Sequence, residues 1–290
     1  MRLSRRSAWL FTLPALVLFI AFTVYPAVSG IALSFTDRRC AIGGTFVGLD
    51  NFARALSDPA VTSALRNTLV FTVVSVVVQN TLALGLASWM YRQPRIRSIA
   101  RIGTLLPAMI SLVAVGYVWS FIYSPLGGPL TTLLKGLGLQ SLSRVWLGDP
   151  HTALLAVAAT NIWMYTGYSA TIYLSGYLSI PSEIFEAAQM DGAHGWGMFR
   201  TLEWPLLGPA LTVAVTLSTI GALRVFELIT VMTNGGPANS TQSLSYVIYN
   251  ESFGKLHFGY GSSVAVILLL LTVVFALSLT TVLRRREVSL

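Results

Sequence analysis

Residues 181–205 read Pro181-Ser182-Glu183-Ile184-Phe185-Glu186-Ala187-Ala188-Gln189-Met190-Asp191-Gly192-Ala193-His194-Gly195-Trp196-Gly197-Met198-Phe199-Arg200-Thr201-Leu202-Glu203-Trp204-Pro205, a polar stretch between two apolar runs. A plain connector between helices needs only a handful of residues, so a segment this long has structure of its own. Ser182 is placed to cap a short helix with Glu183 and Glu186 in its first turns. Asp191 and Gly192 end that helix, and a second one is expected to run to Arg200 and Glu203 before Pro205. Ile184, Ala187 and Ala188 would form a small apolar patch with Glu186 at its edge, while Trp196 and Phe199 would share a face of the second helix. Two readings stand at this point: a surface for a protein partner, or a helix pair lying on lipid headgroups.

The flanks decide the solvent. The 290-residue chain is 54% hydrophobic and only 10% charged, and its mean hydropathy is +0.69. Soluble domains carry roughly a quarter charged residues, so this composition excludes a soluble globular enzyme. Six uncharged runs are long enough for a bilayer core of about 30 Å. They lie within 7–36, 67–91, 102–123, 152–180, 206–232 and 260–283. An all-α polytopic membrane protein of six transmembrane helices follows, organised as one membrane domain over 1–290. Arg2, Arg5 and Arg6 followed by an apolar run, with small Ala27 and Ser29 placed like a cleavage site, also fit a signal peptide, but the run exceeds a usual signal core and is read as a retained helix. With the N-terminus inside, eleven basic residues fall on the inner side and seven on the outer, which obeys the positive-inside rule. Both termini are therefore expected in the cytoplasm. The formal charge of +8 comes from these flanking clusters and gives no nucleic-acid surface.

Catalytic chemistry has no visible carrier. No stretch matches Gly-x-x-x-x-Gly-Lys-Ser/Thr, the backbone nest that cradles nucleotide phosphates, and no His-Glu-x-x-His pair is present. The three histidines, His151, His194 and His257, sit at loops and ends, and Cys40 is the single cysteine. No metal, catalytic residue or cofactor is expected in this chain.

Polar groups inside the spans are more informative, because each needs a partner in lipid and many line pathways. Asn161, Tyr165 and Tyr168 fall at i, i+4 and i+7 of the fourth span, on one face. Amides suit sugar hydroxyls and aromatic faces suit the C–H side of a sugar ring. Helix-to-helix bonding by the asparagine and interfacial anchoring by the tyrosines would explain the same residues. In the fifth span Ser218, Gly221 and Ala222 share a face, the last two small enough to widen a cavity or to let helices approach. Gln79 and Asn80 are read as interhelical hydrogen-bonding residues. Arg224 and Glu227, three apart, are expected to form an intramembrane ion pair. The sharper reading makes Arg224 an anion site, relevant if a transported solute carries a phosphate. A stand-alone secondary transporter would instead use Arg224 and Glu227 to couple an ion, although such proteins usually show paired broken helices.

The segment quoted first now places the chain. Glu186-Ala187-Ala188, Asp191-Gly192-Ala193, Phe199, Pro205 and Pro209 resemble the Glu-Ala-Ala loop of binding-protein-dependent ABC importer permeases. Further matches run along the chain: Leu33-Ser34-Phe35-Thr36, Phe46 to Asn51, Asn67-Thr68-Leu69, Trp146-Leu147 with Asp149-Pro150, and Gly235-Gly236-Pro237-Ala238. They are similar to carbohydrate-type permeases of the glycerol-phosphate, lactose and maltose importers. The resemblance implies a type I permease fold in a prokaryotic plasma (inner) membrane. It implies alternating access and three kinds of partner: a second permease, two copies of a cytoplasmic ATPase that binds ATP and magnesium, and an extracytoplasmic binding protein. It implies a coupling helix in which Glu186 contacts the ATPase and Gly192 forms the bend, and it puts Asn161, Tyr168 and Ser218 toward a substrate cavity. Tyr165 stands where such permeases often carry glycine. His194, Gly195 and Gly197 depart from the pattern by making the second loop helix glycine-rich. The implied cargo is a di- or oligosaccharide, an amino sugar or a polyol.

Overall fold

The computed structural model describes residues 5–40, 43–285 and 287, with side chains from residue 12 onward. Arg2 and Arg286, two of the arginines counted on the inner side, lie outside the described residues. The architecture is all-helical. Among the described residues the only β pairing is an isolated antiparallel bridge between Thr36 and Phe46.

In chain order, α1 (Arg5–Phe19) passes through a π-helical turn, Ile20–Val24, into α2 (Tyr25–Leu33). Then come α3 (Asp50–Ser57), α4 (Pro59–Arg92), α5 (Arg97–Met109), α6 (Leu112–Ile122) and α7 (Pro129–Gly136). The central helix is α8 (Ala153–Ser179), followed by the loop helices α9 (Ser182–Met190) and α10 (Gly195–Met198). A second π turn, Phe199–Glu203, leads into α11 (Trp204–Leu206) and α12 (Gly208–Leu223). The chain finishes with α13 (Glu227–Met232), α14 (Leu244–Tyr249) and α15 (Phe258–Arg284).

Three of these stretches are long and apolar enough to cross a membrane unaided: Thr12–Leu33, Pro59–Arg92 and Phe258–Arg284. The expected third span is not a straight helix, and the expected fifth bends at its start and breaks after Leu223. Arg97–Met109 meets Leu112–Ile122 at 94°, and Gly195–Leu206 meets Gly208–Leu223 at 72°. Counting each bent pair as one span gives five. At the first bend Ile110 and Ser111 are extended, just beyond Pro107, whose ring removes a helical N–H. The fourth run forms a helix of 27 residues, but Asn161 and four tyrosines dilute its apolar character.

The chain divides into two compact units, Met1–Thr62 with Val247–Leu269, and Ser63–Tyr246 with Leu270–Leu290. In the first, Asn51 donates to the carbonyls of Ser34 (2.9 Å) and Thr36 (2.8 Å), and Val47 N–H donates to Phe35 O at 2.8 Å. The motif residues at 33–36 and 46–51 thus bind each other. Nearby, Glu251 accepts from Lys255 at 2.6 Å and pairs with His257 at 3.1 Å.

The second unit has two apolar clusters. One gathers Phe71, Val115, Tyr123, Val157, Met164, Leu228 and Ile229. The other gathers Ala83, Ala87, Met90, Tyr173, Tyr177, Phe185, Met198 and Leu207 and lies at the 181–205 end. Lipid gives helices no hydrophobic reason to associate, so close backbone approach does that work. A Cβ at Gly167 would land on the carbonyl of Thr104, which brings α8 directly against α5. At Gly176 a Cβ would come within 2.7 Å of Ala210, which sets α8 against α12.

Candidate functional site

Between α4, α6, α8, α12 and the start of α13 lies a cavity of about 290 Å³. Asn161, Tyr165, Tyr168, Ser218, Gly221, Ala222, Arg224 and Glu227 all line it. The seven-residue spacing of Asn161, Tyr165 and Tyr168 on an unbroken helix is what puts them on one wall. Asn161 is 8% exposed and Tyr168 46%, so the wall runs from a buried amide to an open ring. Neither the Asn161 amide nor the Tyr168 hydroxyl is engaged by another group among the described residues. Their hydrogen-bonding capacity faces the cavity.

Other polar groups on and behind the wall bond to one another. Asn80 donates to Ser218 Oγ at 2.9 Å and to Val76 O at 2.8 Å, and accepts from Tyr173 Oη at 3.0 Å. Ser218 in turn donates to Val215 O at 3.1 Å. Gln79 donates to Ser169 Oγ at 2.8 Å, and both line the cavity as well. Gln79 therefore combines the interhelical role its sequence position suggested with a place on the wall. Ser169, one residue from Tyr168, had no signal beyond its proximity to that face.

The expected ion pair is absent. No salt bridge joins Arg224 and Glu227 among the described residues, where the pairs are Arg92–Glu203, Lys255–Glu251 and His257–Glu251. The reason is backbone geometry. Helix α12 ends at Leu223, Arg224 (φ −100°, ψ 15°) and Phe226 (φ −138°, ψ −58°) leave the helical region, and α13 starts at Glu227. Three residues across a break do not share a face. Both residues instead line the cavity separately.

At the 181–205 segment two helices meet at a bend, as the sequence suggests, with different details. Pro181 rather than Ser182 is the N-cap, and no side chain caps α9. The bend is at Gly192, whose φ of +82° suits a residue without a Cβ, and Ala193 N–H closes back on Ala188 O at 2.9 Å. The apolar patch faces inward. Phe185 is buried with its ring 5.4 Å from Tyr91, and Ile184 and Ala188 pack on the same cluster. Glu186, Ala187, Asp191 and Gly192 remain exposed. Phe199 stacks on Trp196 at 5.1 Å and leans on Trp204 at 6.1 Å. Helical structure also runs on through Pro205: the π turn bonds Trp204 N–H to Phe199 O, and Leu207 N–H donates to Glu203 O at 2.9 Å. Proline has no N–H to lose at the start of α11.

Residues 79–288 match the family described as binding-protein-dependent transport system inner membrane component. A probable ABC transporter permease of Pyrococcus horikoshii is 36% identical over 92% of both chains. The lactose transport system permease protein of Rhizobium radiobacter is 35% identical over 93% of this chain and 91% of its own. In three dimensions the chain superposes on a chain of a bacterial alginate ABC transporter, crystallised with an alginate pentasaccharide-bound periplasmic protein. The TM-score is 0.84 at 22% identity, over 96% of this chain and 94% of that one.

Proposed function

This chain belongs to the family of binding-protein-dependent transport system inner membrane components, and from that membership we propose that it is the permease subunit of an ATP-driven carbohydrate importer. One observation carries the cargo class: the cavity that presents a free amide at Asn161 beside the tyrosine rings of Tyr165 and Tyr168. Hydroxyl-rich ligands need such donors and acceptors, and the rings cover their C–H faces. Relatives whose names specify lactose and sn-glycerol-3-phosphate transport support the same class, a di- or oligosaccharide, an amino sugar or a polyol.

Residues 1–290 act as one permease domain, with both termini and the 181–205 loop in the cytoplasm. The loop couples the permease to a separate ATPase. Glu186 makes a polar contact to it on the exposed side, flanked by Ala187 and Asp191, while Ala188, Ala193, Phe199 and Pro205 shape the segment around the Gly192 bend. ATP and magnesium act on that partner, and this chain performs no hydrolysis. A second permease completes the cavity, which opens to alternate sides as the ATPases close and reopen. A binding protein delivers the cargo from outside.

The test is mass spectrometry of the tagged protein purified in detergent from its native membrane. Recovery of one other permease and two ATPase copies per chain is expected. A homo-oligomer that transports on its own would overturn the proposal.

A further inference from the structure

Glu203 is the most deeply buried carboxylate of the 181–205 loop, with 4% of its side chain exposed. An isolated buried carboxylate is strongly disfavoured. Here both oxygens are held: Oε1 accepts from Arg92 Nη2 at 3.0 Å and Oε2 from Tyr177 Oη at 2.8 Å. Arg92 is the last residue of α4, and Tyr177 lies in the final turn of α8. The other half of the loop is fastened to the same place, because Tyr91 stacks on Tyr177 at 5.1 Å and meets Phe185 of α9 at 5.4 Å.

We infer that Glu203, through Arg92 and Tyr177, is a positioning residue that carries movement of the loop into the two helices that wall the cavity. This rests on the coupling role proposed above. Helix α8 is unbroken from Tyr177 to Tyr168, about 13 Å at 1.5 Å per residue, and α4 from Arg92 to Gln79, about 20 Å. Displacement of Glu203 therefore reaches Gln79, Tyr168 and Ser169 through rigid helix. The π turn at Phe199–Glu203 supplies the geometry, since its wider ring inserts a residue just before Pro205 and shifts the register in which Glu203 is presented. Stability alone does not call for this chemistry. A buried ion pair is commonly replaceable by apolar residues without loss, so its distinctive contribution is to fix one registry between parts.

The experiment uses the complex purified from its native membrane in lipid discs, with Cys40 replaced by serine. An environment-sensitive fluorophore is placed at Met190→Cys, 89% exposed on the loop, or at Tyr168→Cys on the cavity wall. Emission is compared without nucleotide and with ATP plus vanadate, so no cargo is needed. In Glu203→Gln and in Tyr177→Phe, which keeps its ring stack, the loop probe should respond as in the parent. The cavity probe should respond with an equilibrium shifted about two- to thirtyfold. An unchanged cavity response in both variants overturns the inference, as does parallel loss of both responses with complex yield, the mark of a merely structural role. If the parent cavity probe ignores nucleotide while the complex contains ATPase, transmission through the helices is refuted. If no ATPase is present, the importer reading fails first and this inference with it.

Discussion

The cavity wall and the 181–205 loop handle polar groups in opposite directions. In the wall, the groups behind the surface are spent on each other, Gln79 on Ser169 and Asn80 on Ser218 and Tyr173, while Asn161 and Tyr168 keep their capacity for whatever enters. In the loop, Phe185 and the satisfied carboxylate of Glu203 face inward, and Glu186 and Asp191 face out. In both, most buried polar groups are paired, and Asn161 at the cavity is the exception. What differs is the audience of the unpaired ones. A concave space suits a small hydroxylated ligand, and an open acidic face with a rigid backing suits a protein.

That contrast breaks most readily at Glu186. Because its side chain is exposed, Glu186→Lys should leave the thermal midpoint in detergent unchanged. If it meets a cation on the ATPase, reversal costs about 2–5 kcal/mol of docking, enough to abolish uptake and ATPase recovery. Unchanged uptake would move the loop's role elsewhere. Glycines give the next largest effect, with opposite signs in the two regions. Gly167→Ala pushes a methyl into the Thr104 carbonyl and should cost about 1–3 kcal/mol of stability as α5 and α8 separate. Gly197 sits in α10, where an added methyl would meet nothing within 4 Å, so Gly197→Ala should stabilise by up to about 1 kcal/mol. Thermal unfolding of both variants checks the pair. Smaller again, Asn161→Ala and Tyr168→Ala should each weaken cargo retention by about 1 kcal/mol, roughly fivefold, with assembly intact. Full affinity in both would remove them from the site.

Periodicity exposed the wall because α8 is regular: three residues at i, i+4 and i+7 must share a face whatever surrounds them. The break after Leu223 was signalled only by Arg224 and Glu227 interrupting the apolar run Leu207 to Leu223, and the Arg224–Glu227 pair was inferred from a helix that is not continuous there. The 94° bend falls inside the uncharged run 102–123, where hydropathy does not report it, whereas the 72° bend falls where the polar 181–205 segment gives way to the fifth apolar run. In the loop, the small residues Ala187 and Ala188 drew attention away from Phe185, the side chain that anchors α9. Glu203 looked like an ordinary helix end before Pro205. Its partners are 111 and 26 residues away, a distance no local pattern reports.

The smallest expected effect concerns the other compact unit, where Asp58 tests whether a half-exposed carboxylate follows the same pairing rule as Glu203. Its Oδ2 accepts from Tyr260 Oη at 2.7 Å and its Oδ1 from Ala60 N–H at 2.8 Å. Arg54 lies 4.5 Å over the Tyr260 ring. Burial pushes the Asp58 carboxyl upward, but the hydrogen bonds from Tyr260 and Ala60, with the charges of Arg54 and Lys255, outweigh it and hold the group below its ordinary value. A carboxylate more acidic in the folded state favours folding when ionised. That contribution is complete above the unfolded value of about 3.9 and disappears as pH falls through the lower folded value. Wild-type stability should therefore decline on the acid side of about pH 4, and Asp58→Asn should show a shallower decline over the same window. Parallel acid limbs in thermal unfolding would mean that the carboxylate is equally solvated in both states, and that the Tyr260 contact forms without favouring the charge.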